Sequence, residues 1–162
     1  MTKIIKITER TSLALHAMLY LATFSDKSSV KELSEVLKAS QAHLSKVMQE
    51  LVRSQLLISH TGPGGGFSLA REPEKISLLE IFEAIEGEFD NRSCLLEKPI
   101  CIGNKCIMGD VIKKANQELL EYLTKTNLLS LKGILNGETK RDVTEEDQDL
   151  EESSYIIKSS WD

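Results

Sequence analysis

Apolar residues recur three and four positions apart at Leu13, Ala14, Ala17, Met18, Leu21 and Ala22, so residues 8 to 24 are predicted to form a helix with one face turned inward. The polar run Ser25-Asp26-Lys27-Ser28 ends it. Ser29 followed by Glu32 has the form of a capping box, opening a second, short helix that ends near Lys38 and turns Val30, Leu33, Val36 and Leu37 inward. After a tight connection at Lys38-Ala39, Ser40 is placed to cap a third helix whose inward residues are Leu44, Val47, Met48 and Leu51.

The period then changes. Residues 56 to 61 and 67 to 70 read as two short strands around Gly62-Pro63-Gly64-Gly65-Gly66, a hairpin tip where glycine supplies backbone angles that other residues avoid. Ser77 with Glu80 repeats the capping box, and Gly87 sits where a helix would stop. Residues 78 to 86 are therefore predicted helical, with Leu78, Ile81, Phe82 and Ile85 in the core. From about Met108, the residues Val111, Ile112, Ala115, Leu119, Tyr122 and Leu123 make an apolar stripe over four turns. It is longer than a small domain needs for its own core and suits a partner helix. The segment from Thr126 to Leu135 is expected to make one more short helix.

The predicted fold is mainly α with a small β-hairpin: a winged helix-turn-helix followed by a long dimerisation helix. Residues 1–88 form the DNA-binding unit, 89–107 a cysteine-bearing loop, 108–137 the dimerisation helix with its short successor, and 138–162 an acidic tail. In a winged helix-turn-helix the second helix of the pair enters the major groove. Here that is the third helix, whose amino-terminal end carries Ser40, Gln41, His43, Ser45 and Lys46, all able to bond bases or phosphates. Gln41 and His43 are the base-reading candidates, and His60, Gly64 and Gly65 are the wing's candidates for DNA contact. An ordinary three-helix core with a solvated polar face is the plainer alternative, and the glycine hairpin tells against it. A phosphate-cradling nucleotide loop at residues 62 to 66 is disfavoured, because no Lys-Ser or Lys-Thr follows and strands lie on both sides.

The summed charge opposes nucleic-acid binding, with 20 basic against 25 acidic side chains. The distribution removes the objection: the tail takes nine of the acids and three of the bases, leaving 17 basic against 16 acidic elsewhere. Between residues 30 and 71, Lys31, Lys38, Lys46, Arg53 and Arg71 face only Glu32, Glu35 and Glu50. No apolar run approaches a membrane span, and the first residues lack the pattern of a signal peptide, so a cytoplasmic protein with no membrane partner is expected. In that reducing compartment the odd set Cys94, Cys101 and Cys106 suits metal ligation or thiol redox chemistry better than a disulfide framework.

These features resemble the Rrf2 family of bacterial regulators. The likeness lies in Ala14-Leu15-His16-Ala17-Met18-Leu19-Tyr20-Leu21-Ala22, in Gly62-Pro63-Gly64-Gly65-Gly66-Phe67-Ser68-Leu69-Ala70 and in Ile76-Ser77-Leu78-Leu79-Glu80-Ile81. The resemblance implies a homodimeric transcription regulator, not an enzyme, that binds pseudo-palindromic double-stranded DNA, and a repressor is among the forms it suggests. It also implies an iron-sulfur cluster, 2Fe-2S or 4Fe-4S, held by Cys94, Cys101 and Cys106 in the spacing C-x6-C-x4-C. A histidine found three residues after the last cysteine in one subgroup is replaced here by Gly109. His16, supplied from the partner chain, is then the leading fourth ligand by resemblance, with Ser12, Glu9, Asp110, a water or a small thiol behind it. The implied signals are redox state, nitric oxide or iron-sulfur supply. Two alternatives stay open: a cluster-free regulator controlled by a protein partner or by thiol oxidation, and a redox enzyme or electron carrier. The latter lacks a Cys-x-x-Cys pair or cofactor fold.

Overall fold

The computed structural model describes residues 7–90 and 106–135, with isolated positions 94, 96, 98, 100 and 101 between them. The predicted acidic tail lies outside the described residues, as does most of the loop that carries the cysteines.

The first helix, α1 (Glu9–Phe24), starts where the Thr8 hydroxyl oxygen accepts the Thr11 N–H. Its predicted inward residues are all buried, Ala14, Ala17 and Met18 completely. α2 (Val30–Val36) begins with the Ser29–Glu32 capping box formed in both directions. Lys38 takes a positive φ of 51° in the two-residue link, and the Ala39 N–H returns to the Ser34 carbonyl at 3.0 Å. α3 (Gln41–Arg53) is capped by Ser40, whose hydroxyl oxygen accepts the His43 N–H at 3.1 Å. Leu44, Val47, Met48 and Leu51 are fully buried, each contributing roughly 1.5–3 kcal/mol by leaving water.

The hairpin pairs β1 (Leu57–His60) with β2 (Gly66–Leu69) in antiparallel register, Leu57 opposite Leu69 and His60 opposite Gly66. Pro63 and Gly64, the latter at φ +73°, occupy the middle of a turn closed by the Gly65 N–H on the Gly62 carbonyl at 2.9 Å. A β-bridge joins Phe67 to Ser28, each donating its N–H to the other's carbonyl at 2.8 and 3.1 Å, so the wing is tied to the segment between α1 and α2. This approach is close enough that a β-carbon on Gly66 would lie 2.5 Å from the Ser28 oxygen.

α4 (Leu78–Glu86) carries the second capping box, Ser77 with Glu80, and stops at Gly87 with φ 84°, as predicted. α1 packs on α3 and α4, and α5 (Val111–Lys125) lies against α4. α5 starts three residues later than expected, because residues 107 to 110 form turns.

Three expectations are corrected. Val36, placed inward from its spacing, is half exposed at the last position of α2. The apolar stripe of α5 is two stripes. Ile112, Leu119 and Leu123 turn inward together with fully buried Asn116, whereas Val111 and Tyr122, three turns apart on the other side, are 64% and 55% exposed. Finally, the helix expected in residues 126 to 135 is a single 3-10 turn at Leu129–Leu131. The preceding backbone is taken by a different partner: the Leu78 N–H donates to the Thr126 carbonyl at 2.9 Å and the Leu128 N–H to the Ile76 carbonyl at 3.1 Å.

Candidate nucleic-acid interface and cysteine segment

The two capped turns before α3 and the wing after it determine which side chains face outward. Gln41 at the start of α3 and Lys46 one turn on are exposed, while His43 and Ser45 are half-buried. Ser40 is exposed, but its oxygen lone pairs are partly committed to the cap, leaving the O–H to donate outward. Ser45 and Lys46 share a shallow groove with Gln49, Glu50 and Arg53, which extends the polar face along the whole helix. In the wing, His60 is exposed and its Nε2 lies 2.7 Å from the Ser68 hydroxyl. Gly64 is exposed at the tip, and Gly65 is held beneath it, where a β-carbon would meet the His60 carbonyl oxygen at 2.5 Å. Gly65 is thus required by the turn's own backbone, besides its predicted place near DNA.

Sequence reasoning missed the long-range side-chain pairs around this face. Arg10 of α1 hydrogen-bonds Glu50 of α3, and the neighbouring Glu9 places Oε1 3.9 Å from Nδ1 of His43. The hydroxyls of Thr8 and Thr11 both donate to Glu86 at the end of α4, where the chain turns toward the cysteines. Pairs separated by 40 and 78 positions leave no local mark in a sequence. Arg71 leaves the wing to pair with Glu80 at 2.7 Å. Burial opposes ionisation of Glu80, but the Ser77 N–H and the Arg71 guanidinium outweigh it and hold the carboxyl below its ordinary range. Glu32 is lowered too, by the Ser29 backbone N–H and then its hydroxyl.

The three cysteines carry free thiols. Cys94 and Cys106 are partly shielded and Cys101 is exposed. Thiolates of this kind suit iron as ligands. Among the described residues, however, no three His, Cys, Asp or Glu side chains converge closely enough to hold a metal ion. His16 is exposed on α1, with Nδ1 2.7 Å from the Ser12 carbonyl. Because a carbonyl only accepts, Nδ1 is the donor in this contact and Nε2 is the ring nitrogen left outward, the one an imidazole held in this way offers to a metal. Ser12 is half-buried, Glu9 and Asp110 are exposed, and Gly109 adopts a φ of 54° just before α5.

Two capped helices followed by a glycine-tipped ribbon, with α3 backing on α1 and α4 and the ribbon on α1 and α3, define a winged-helix DNA-binding protein. Residues 7–133 match the model of the Rrf2 family, described as an iron-dependent transcriptional regulator, and the chain belongs to that family. It is 31% identical over 140 residues to the HTH-type transcriptional regulator NsrR of Shouchella clausii, covering 84% of this chain and 93% of that one. Its fold is similar to that of CymR, the global cysteine regulator of B. subtilis, with a TM-score of 0.68 at 22% identity over 82% of this chain and 99% of the other. It is also similar to T. potens IscR, with a TM-score of 0.62 at 21% identity over 85% and 94% of the two chains. The protein is a DNA-binding transcription regulator of the Rrf2 family, not an enzyme. Among the described residues no helix is long and apolar enough to cross a membrane.

Proposed function

We propose that this regulator acts in the cytoplasm as a homodimer that reads the two halves of a pseudo-palindromic operator with α3 and the wing, under the control of the three cysteines between α4 and α5. The observation that carries the reading is the exposed amino-terminal half of α3, with Gln41 and Lys46 directed outward beside a wing tipped by Gly64. Gln41 and His43 read bases; Ser40, Ser45, Lys46, His60 and the Gly64–Gly65 backbone hold phosphates. The exposed Val111 and Tyr122 on the outer side of α5 support pairing of two chains through this helix. In this division residues 1–88 are the DNA-binding head, 89–107 the sensor, 108–137 the pairing element and 138–162 an acidic appendage.

For the sensor, Cys94, Cys101 and Cys106 would hold an iron-sulfur cluster, with His16 of the partner subunit as fourth donor through Nε2. Bound there, a cluster supplies one-electron redox chemistry and a reactive site for nitric oxide or oxygen. The chain's own part would be to present three thiolates on the segment that follows α4, whose last residue, Glu86, accepts from Thr8 and Thr11, so that a reordered loop alters the seating of α4 on α1. A second reading is favoured by the lack of convergence among the described donors: a cluster-free regulator in which exposed Cys101 is oxidised directly, or which a protein partner controls. Anaerobic purification followed by absorption spectroscopy and iron and sulfide quantification separates them. Stoichiometric iron and sulfide, lost in Cys94→Ala, Cys101→Ala and Cys106→Ala variants that remain folded, is expected; an iron-free protein as isolated rejects the cluster.

The DNA assignment has its own test. Gln41→Ala and His43→Ala are expected to relax sequence preference by about 1 to 3 kcal/mol per lost base contact, while Lys46→Ala weakens binding to any duplex. Parental binding by all three would remove α3 as the reader.

A further inference from the structure

The outer face of α3 contains one carboxylate among groups that favour phosphate. Glu50 lines the groove with Lys46 four residues before it and Arg53 three residues after it. These spacings put both cations within reach of Glu50 on the helix surface. Yet neither Lys46 nor Arg53 forms an ion pair among the described residues, and Glu50 is bonded instead to the Arg10 guanidinium, brought in from α1. The side chains of Arg10 and Glu50 are 42% and 30% exposed, so the pair sits at the rim of the groove rather than in the core.

We infer that Arg10 is a positioning residue for DNA binding. It draws Glu50 away from Lys46 and Arg53 and cancels its charge, leaving both cations available to the phosphate backbone. The inference rests on the reading of α3 as the DNA-contacting helix. Without Arg10, Glu50 acts twice against DNA: it adds an uncompensated negative charge at the contact face, and it turns to Lys46 or Arg53 and occupies a cation that would otherwise displace a counterion.

The test measures binding of the full-length protein to a fluorescent, mixed-sequence B-form duplex across a salt series. Arg10→Ala is expected to weaken binding about tenfold near 0.1 M salt and to reduce the slope of log affinity against log salt by about one. Glu50→Gln binds as tightly as the parent or tighter. The Arg10→Ala/Glu50→Gln double variant returns to within about threefold of the parent, because no carboxylate is left to control. Arg10→Gln, which keeps more of the side-chain stem, serves if the alanine variant is poorly folded, and melting curves establish the fold of each protein. A double variant as weak as Arg10→Ala alone overturns the inference, since Arg10 would then touch phosphate itself; so does undiminished binding by folded Arg10→Ala or Arg10→Gln. Lys46→Ala separates the inference from its premise: if that variant binds like the parent with an unchanged salt slope, α3 is not the contacting helix and the premise fails.

Discussion

The head and the arm of this molecule bury apolar surface in different ways. In residues 7–90 the inward faces of α1, α3 and α4 close on one another, and Met18, Leu44, Met48 and Ile81 are wholly shielded within a single chain. α5 gives one side to this body through Leu119 and Leu123, while Val111 and Tyr122 on its other side remain in solvent, as do Ile100 and Ile107 just before it. The head closes its core within one chain, Leu123 and Leu128 included, and leaves only scattered apolar side chains such as Phe24, Val36 and Ile58 half exposed. The arm has apolar area left for a second surface to cover.

Substitutions in the two regions should therefore fail differently. Leu44→Ala or Met48→Ala removes a fully buried side chain and is expected to cost about 2 to 5 kcal/mol in denaturant unfolding, at any protein concentration. Tyr122→Ser with Val111→Ser should barely alter unfolding of the separated chain but should weaken self-association in sedimentation experiments. If the double variant unfolds as readily as Leu44→Ala, the contrast between head and arm is wrong.

Smaller effects sharpen the picture of the head. Gly66→Ala drives a β-carbon against the Ser28 backbone and is expected to lose roughly 1 to 3 kcal/mol. Gly64→Ala, in open space but at positive φ, should lose about 1 kcal/mol. Equal losses at the two positions would mean that the Ser28 bridge adds nothing. Ser77→Ala should cost about 1 kcal/mol through its cap.

The mildest effect depends on pH. The carboxyls of Glu80 and Glu32 both lie below the ordinary value of 4.5, so the folded chain binds fewer protons there than the unfolded chain. Their stabilisation is present above pH 4.5 and is lost as acidity increases through the lowered folded-state values. In thermal melts from neutral to acid pH, Glu80→Gln should flatten this decline; a parental slope would contradict the assignment.

How much could be read from the chain alone depended on the distance over which each feature is built. Ser29 with Glu32 and Ser77 with Glu80 are signals three residues long, and both capping boxes form as expected. The glycine turn is similarly local. Helical spacing marks Val111, Ile112, Ala115, Leu119, Tyr122 and Leu123 on α5, but period alone does not say which side a neighbour covers, so Val111 and Ile112 fall into one stripe. The final helix was overestimated because Leu128 satisfies its backbone on Ile76, a bond made across the fold. Arg10 with Glu50 and Ser28 with Phe67 are likewise products of packing and left no pattern to find.

The strap between Ser28 and Phe67 has a mechanical consequence. Fastened at Phe67, one residue from its turn, to the link between α1 and α2, with no room at Gly66 for even a methyl group, the ribbon is held against swinging independently of the helices around it. Ribbon and helix must travel as one block. In the proposed dimer, an effector is left with the separation and tilt of two such blocks to adjust, so responsiveness should register in the tolerated distance between operator half-sites rather than in the bases each half prefers.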